Sequence, residues 1–350
     1  MKSFILKPAI LAFLLIAISS EGIGQQGIKT KNLSREFDVN SNATLLVDNS
    51  FGKVHCSAWD KNKISIEAEV KVEAKNDKIA QEVLDKISCE ISGNANLVEI
   101  KTRIGNSTNN SQNKSFSINY TINMPASVLL DISNKFGDVF IDKTTSASTV
   151  NVDYGNLTIL EILNSGAKIN LKFSSGNIEK MGRINLDLQY SSLKLGTAEV
   201  ASVDSKFSTL NFSQSNSISI KSEYDTWNVG KVSGIDGYGK FTTLNIEELI
   251  NRLDLDMQYG GLDVKNVNPA FSQININSSF NSIQLGIPRS ASYRLEASTS
   301  FGDCQYPSGS KVQVTEKSMT SKTYSGVVGQ SANPTAKVTV SAKNSDVKLY

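Results

Sequence analysis

The 350-residue chain contains one histidine, three cysteines and 34 acidic residues, so the chemistry open to it is narrow. His55 falls at an outward polar position of a strand, the ordinary place for a solvated side chain. The sequence assembles no Ser-His-Asp or Cys-His constellation around it. Cys56, Cys89 and Cys304 are sparse and odd in number, so at most one bridge can form. Each falls at an apolar position of the pattern described below, which points to small buried hydrophobes. A zinc site would need Cys, His or carboxylate clusters that the sequence does not bring together. No glycine-rich phosphate loop precedes a helix, and the Asp-rich nonapeptides of calcium-binding β-rolls are absent.

One pair of residues has a spacing that could do chemistry. Asp187 and Asp204 stand 17 residues apart at the same outward position of adjacent repeats, which would set their backbones about 4.8 Å apart. Two carboxyl groups about 5–5.5 Å apart are the working geometry of a retaining glycosidase. Lys221 occupies the next rung, however, and a row Asp-Asp-Lys reads equally as a solvated charge ladder. The second reading is the one adopted, and no catalytic, cofactor-binding or metal-binding residues are expected. The enzymatic alternative rests on Asp187 and Asp204 alone.

The elements that would hold these residues come from a repeat. The segment "DLQYSSLKLG" (187–196) returns 17 residues later as "DSKFSTLNFS". With the aromatic of each copy as position 0, apolar residues stand at −6, −4 and −2 and again at +3 and +5: Ile184, Leu186, Leu188, Tyr190, Leu193 and Leu195 in one copy. The frame fits Phe51, Phe136, Tyr154, Phe207, Tyr224, Phe241, Tyr259, Phe280 and Phe301, and Phe173 more loosely. Asn344 takes the aromatic slot of a last copy. From Phe136 to Phe301 the interval stays between 17 and 21 residues, the mark of a stacked repeat. Period-2 alternation up to position 0 is a strand with one buried face, and +3 to +5 is a second short strand. Placing both 0 and +3 inward requires the parity to slip at the intervening pair, which is a corner. No such unit covers its own apolar face, so it must stack on its neighbours, with aromatic on aromatic in the interior. The fold class expected is all-β: a single β-solenoid, parallel β-helix-like, with an N-terminal α+β cap.

Outward positions agree with the stacking. Position +4 carries Asn211, Asn228, Asn245 and Asp263 as a polar ladder, and position −1 carries Lys206, Glu223 and Lys240 with alternating sign. An outer-membrane barrel, which also alternates, would need strands of about 9–11 residues without a slip in every copy. Inward slots such as Asn134, Ser222, Gly237 and Gly239 would also face lipid poorly. It stands as a second alternative.

Residues 1–24 have a different character. Lys2 and Lys7 precede an apolar run from Ala9 to Ile18 and a small-residue end with Gly22 and Gly24 before Gln25, the layout of a cleaved secretory signal peptide. Ten apolar residues are short for a bilayer that needs about 20. Export to the periplasm, the cell surface or the medium is therefore expected, with no transmembrane segment after cleavage. A formal net charge of +2, from 36 basic and 34 acidic residues, leaves no electrostatic footprint for nucleic acid. Residues 25–129 read as a strand-rich cap with a helix over 76–87, Asn76 as its N-cap and Ile79, Val83, Leu84 and Ile87 on one stripe. The tract 105–115 is a polar loop. Residues 130–350 are the repeats, with 307–337 a protective insertion before the last copy.

The order "NSFGKV", then "KISIEAEVKVEA", a short helix and "INMPASVLLDISNKFGDVFI" leading into serial repeats resembles the bacterial putative adhesin family, an exported domain of unknown function built of β-strand repeats. The match runs from about Thr44 to Tyr350. Its corner glycine is kept at Gly52, Gly137, Gly155, Gly260 and Gly302 and replaced by Ser191, Ser208, Asp225, Thr242 and Asn281, which suits a corner with negative φ. The resemblance implies a non-enzymatic, adhesin-like interaction scaffold at the cell envelope and brings no catalytic residues. Its partner would be an envelope protein or a polysaccharide, and cofactors are none.

Overall fold

The structure, a computed structural model, describes residues 27–105, 114–163 and 166–350. The expected signal peptide lies outside the described residues, as does most of the 105–115 tract. The chain is mostly β, with 24 strands in one largely parallel sheet and the single helix Asp77–Leu84 among the described residues.

The parallel pairing follows the repeat. Ser192–Lys206 pairs with Thr209–Glu223 residue for residue at an offset of 17, Leu193 beside Leu210 and Val203 beside Ile220. Thr209–Glu223 pairs in the same way with Thr226–Lys240. Like positions therefore meet across each ladder and their apolar members share one core, in which Leu188, Leu193, Leu210 and Trp227 are fully buried. Burying a side chain of this size contributes about 1.5–3 kcal/mol. The alternation is thus satisfied by in-register neighbours rather than by any contact within one repeat. The parallel ladders also exclude the antiparallel meander of an outer-membrane barrel.

Two features of the repeat depart from expectation. First, the aromatics do not point inward. Phe51, Phe136, Tyr154, Phe173, Tyr190, Phe207, Tyr224, Phe241, Tyr259, Phe280 and Phe301 all have φ between 50° and 61° and are 40–61% exposed. A left-handed residue reverses the side from which its Cβ leaves the strand. Position 0 is thereby turned out, and the small residue at +1 is turned in. The corner is this one residue, not a two-residue slip, and +1, +3 and +5 then alternate normally. The +1 residues have negative φ, as expected for a slot that accepts Ser or Asp. Second, the ladders are interrupted at two further positions of each repeat. Glu179, Gly196, Ser213 and Gly230 drop out of the ladders, and so do Gly182, Glu199, Asn216 and Ser233. This is why the buried positions run 195, 198, 201 instead of alternating there.

The order of rungs at the C-terminal end also differs from the chain order. Gln273–Leu285 is followed in space by Ala336–Lys343, which pairs in parallel with it on one side and with Tyr293–Ser300 on the other. Asp346–Leu349 likewise lies between Gln273–Leu285 and Cys304–Gln305. The last repeat, expected at the end of the stack, is inserted one rung inside it. Within 307–337 the expected loop is an antiparallel hairpin, Lys311–Ser318 with Ser321–Val328, laid along the outer edge of Tyr293–Ser300. It covers an edge that would otherwise stand open.

At the other end, Thr44–Ser50 sits between Leu97–Ile104 and Leu129–Lys135, parallel to both. Lys63–Ala74 is antiparallel to Ser115–Pro125 and to Gly27–Asp38. Gly27–Asp38 is a strand that its polar sequence did not announce. Asn76 caps the helix, its side chain accepting from the Ile79 N–H at 3.0 Å. The helix stops at Leu84, short of the expected 87, because Ile87 begins a strand against Leu97–Ile104.

Candidate functional site

The positive-φ corner builds a column of rings on the outside of the sheet. From Phe51 to Phe280 ten rings follow one another with centroids 4.7–5.1 Å apart and planes within 17° of parallel. From Phe136 onward Phe and Tyr alternate. Each left-handed non-glycine residue costs about 1–2 kcal/mol, and each stacked pair returns about 0.5–1.5 kcal/mol, so stacking is what makes the corner affordable to a bulky residue. Backbone bonds close it: the Tyr190 N–H donates to the Lys206 carbonyl and the Phe207 N–H to the Glu223 carbonyl, both at 3.0 Å. The column ends at Phe280 because the inserted last repeat puts Asn344 in the next slot.

Beneath the rings, the inward +1 residues form a buried polar row. The Ser191 N–H donates to the Ser208 hydroxyl at 3.2 Å and the Ser208 N–H to Asp225 Oδ1 at 2.7 Å. Asp225 Oδ2 accepts from the Ser205 and Ser222 hydroxyls, each at 2.6 Å. Burial pushes the Asp225 carboxyl above the ordinary aspartate value, and these hydroxyls and the Ser208 N–H oppose that rise. From Ser191 to Asp225 the row satisfies backbone and side chain away from solvent.

Beside the rings run two more outward columns. Position +2 carries Asn156, Ser175, Ser192, Thr209, Thr226 and Thr243, all exposed. Position +4 carries Thr158, Asn177, Lys194, Asn211, Asn228 and Asn245, and here three of the four expected ladder residues are joined: Asn245 Nδ2 donates to Asn228 Oδ1 and Asn228 Nδ2 to Asn211 Oδ1, both at 3.0 Å, whereas Asp263 Oδ1 is buried without a partner. Ring column and hydroxyl column border an open, nearly flat depression between the Tyr154 and Phe207 rungs. Over six rungs, Tyr154 to Phe241, these three columns hold 18 side chains of which one, Lys194, is charged. The −1, −3 and −5 columns of the same rungs hold 18 of which ten are charged, so the molecule has a neutral aromatic, hydroxyl and amide face and an ionic one.

The residues weighed for catalysis lie elsewhere. Asp187 and Asp204 are neighbours in register on the ionic face, and Lys221 Nζ holds Asp204 Oδ2 at 2.7 Å. Asp187 Oδ1 accepts from Gln189 Nε2 at 3.5 Å. This is the charge ladder, continued at −1 by Lys206 and Glu223 at 3.2 Å. His55 is exposed, its ring stacked on Phe140 with centroids 4.4 Å apart and its Nε2 3.1 Å from Ser57 Oγ. The three cysteines are free thiols. Burial raises Cys56 and Cys304 to about 12, whereas Cys89 is only half-buried beside the Tyr120 hydroxyl. Among the described residues no group of three or more His, Cys, Asp or Glu is placed to hold a metal, and no helix is long and apolar enough to cross a membrane. A hollow of about 210 Å³ near the C-terminal end, lined by Pro288, Arg289, Pro307, Gly309 and Gly329 among others, brings one charged side chain and no acid-base pair.

An inward position 0 would hide the neutral face, and the pattern alone does not give its direction. Two signals could have found it: Ser, Asp or Thr at +1 keeps the period-2 count with +3 and +5, and the +2 column is hydroxyl-bearing in five of the six rungs.

No protein-family model matches the chain, and no curated protein matches it. Among solved structures it is similar to a putative cell adhesion protein from Clostridium sporogenes, at 13% identity over 92% of this chain and 99% of that one, with a TM-score of 0.20. A putative adhesin from Bacteroides fragilis matches at 12% identity over 91% and 97%, with a TM-score of 0.31. A putative lipid binding protein from Parabacteroides distasonis matches at 14% identity over 72% and 95%, with a TM-score of 0.34. Scores this low leave the functional reading to the chain's own residues.

Proposed function

We infer that the chain is an exported cell-envelope β-solenoid that acts as a non-enzymatic, adhesin-like interaction scaffold. The parallel ladders at an offset of 17 are what a winding chain would produce, and the leader-like residues 1–24 support export. The observation that carries the function is the division of one surface into a neutral face and an ionic face. Interface cores are depleted in charge and enriched in aromatic residues, and a repeated scaffold offers such a surface along its whole length. The Asp187–Asp204 alternative finds its second carboxylate already engaged by Lys221. The periplasm, the cell surface and the medium are all compatible locations.

The test is to incubate the purified chain with cell-envelope proteins and glycans, and separately with a panel of glycan and small-molecule substrates. A defined component retained without turnover is the expected result. Turnover at an enzyme-like rate, abolished by Asp187→Asn with Asp204→Asn, would overturn the scaffold reading.

A further inference from the structure

We propose that the neutral face is a binding site for an uncharged polysaccharide lying along the stacking direction, against the ring column and over the Ser/Thr and Asn columns. This rests on the scaffold reading and names its ligand. The argument from charge comes first. An acidic polymer, a nucleic acid or a charged peptide brought onto a surface with one cation among 18 side chains would lose hydration without gaining a counter-charge. An uncharged polymer of hydroxyls meets no such penalty. The ionic face, by contrast, is partly self-paired across rungs by Lys206 with Glu223 and Lys221 with Asp204, and it borders the ring column at Lys240, whose Nζ lies 5.7 Å from the Phe241 ring centroid.

Chemistry of the columns selects among neutral ligands. Ser and Thr hydroxyls both donate and accept, and Asn228, having used one N–H and one lone pair on its neighbours, keeps one of each for solvent, while Asn211 only accepts and Asn245 only donates along the ladder. A sugar chain presents the same two functions. An extended peptide needs instead a row of backbone N–H and C=O groups, which only a sheet edge supplies; this face is the side-chain surface of a sheet whose backbone is already paired.

The ring column supplies the apolar element. Because each ring from Phe136 to Tyr259 is covered on both faces by its neighbours, a sugar meets ring edges and not ring faces along that length. Those edges form a continuous apolar wall, half-exposed, with a phenol hydroxyl at Tyr154, Tyr190, Tyr224 and Tyr259 on alternate rungs, about 10 Å apart. Ring edges, hydroxyls and amides thus repeat in step, as the units of a linear polymer do. Few ordered side chains must be immobilised on binding, since the rings are held by stacking and the amides by each other.

The experiment uses the purified chain with insoluble cellulose, chitin and starch as neutral probes, alginate and pectin as acidic probes, and depletion from solution as readout. Retention on at least one neutral polymer, unchanged across roughly 0.1–1 M salt, is expected. Thr209→Glu with Thr226→Glu should lower that retention by about tenfold or more, with Trp227 emission and far-ultraviolet circular dichroism unchanged. Asp187→Asn with Asp204→Asn, on the ionic face, should leave it unchanged. Retention on the acidic polymers alone, or retention lost as salt rises, would overturn the proposal. So would full retention by the folded Thr209/Thr226 variant. Retention of a defined envelope protein with none of any neutral glycan would also overturn it while sparing the scaffold reading; glycan turnover would remove both.

Discussion

Phe207 offers a direct test of the outward, left-handed corner. Its ring stacks on Tyr190 and on Tyr224, 4.8 Å from each, its φ is 52°, and it is 47% exposed. Phe207→Ala removes two stacked pairs worth about 0.5–1.5 kcal/mol each and about half the burial of a large apolar side chain, another ~1 kcal/mol. The expected loss is about 2–4 kcal/mol. Phe207→Gly removes the same contacts but also the left-handed strain that alanine keeps, about 1–2 kcal/mol, partly offset by the 0.5–1 kcal/mol backbone-entropy cost of glycine. Glycine should therefore equal or surpass alanine here, the reverse of their usual order within a strand. Urea unfolding followed by Trp227, which is fully buried three residues beyond the Tyr224 corner, reports on this part of the stack. An alanine variant clearly more stable than the glycine variant would refute the corner, because an extended position in the interior gives that order.

The inserted last repeat should make the C-terminus behave as interior. Amides of Val338 and Val340, paired on both sides, are expected to exchange as slowly as those of Val203 and Ile220, while those at the hairpin tip around the fully exposed Met319 exchange fast; rapid exchange throughout 336–349 would contradict the insertion. Asp225 carries a pH signature. Its folded pKa is raised by burial, so the native state holds its proton more tightly and stability should fall as pH rises from the unfolded aspartate value through the folded one. Asp225→Asn should flatten that slope, and unfolding curves at pH 3.5 to 7 would show it; an unchanged slope would place its origin elsewhere. Asp225→Ala should instead cost about 1–3 kcal/mol for each buried donor left without a partner, measurable by the same unfolding. Thiol labelling should find Cys56 and Cys304 unreactive until unfolding, since burial holds both near 12; fast modification of either in the native protein would show that its pocket opens.

Much of the site was legible residue by residue, and its orientation was not. The Asn211–Asn228–Asn245 ladder and the row Asp187–Asp204–Lys221 are both found where the 17-residue interval puts them, because in-register parallel pairing brings like positions together whatever the corner does. The ring column was located correctly as a stack and wrongly as a core. Apolar character suggested burial for position 0, and a sequence pattern carries no sign of φ. One residue near +55° reverses a side chain without altering the periodicity on either side, so Tyr190, Phe207 and Tyr224 lie over one another in the open.

The amino-acid sequence by itself determined the repeat length, the strand faces and the identity of each rung's neighbours in register, since a period-2 pattern that recurs every 17 residues can bury its apolar face only against its own copies. Only the tertiary structure decided which copy lies next to which at the C-terminal end. Every repeat presents the same apolar positions, so Ala336–Lys343 satisfies Gln273–Leu285 as well as Tyr293–Ser300 does. The choice between them falls to the closing of chain ends and edges, and that is a property of the whole stack and not of any repeat within it.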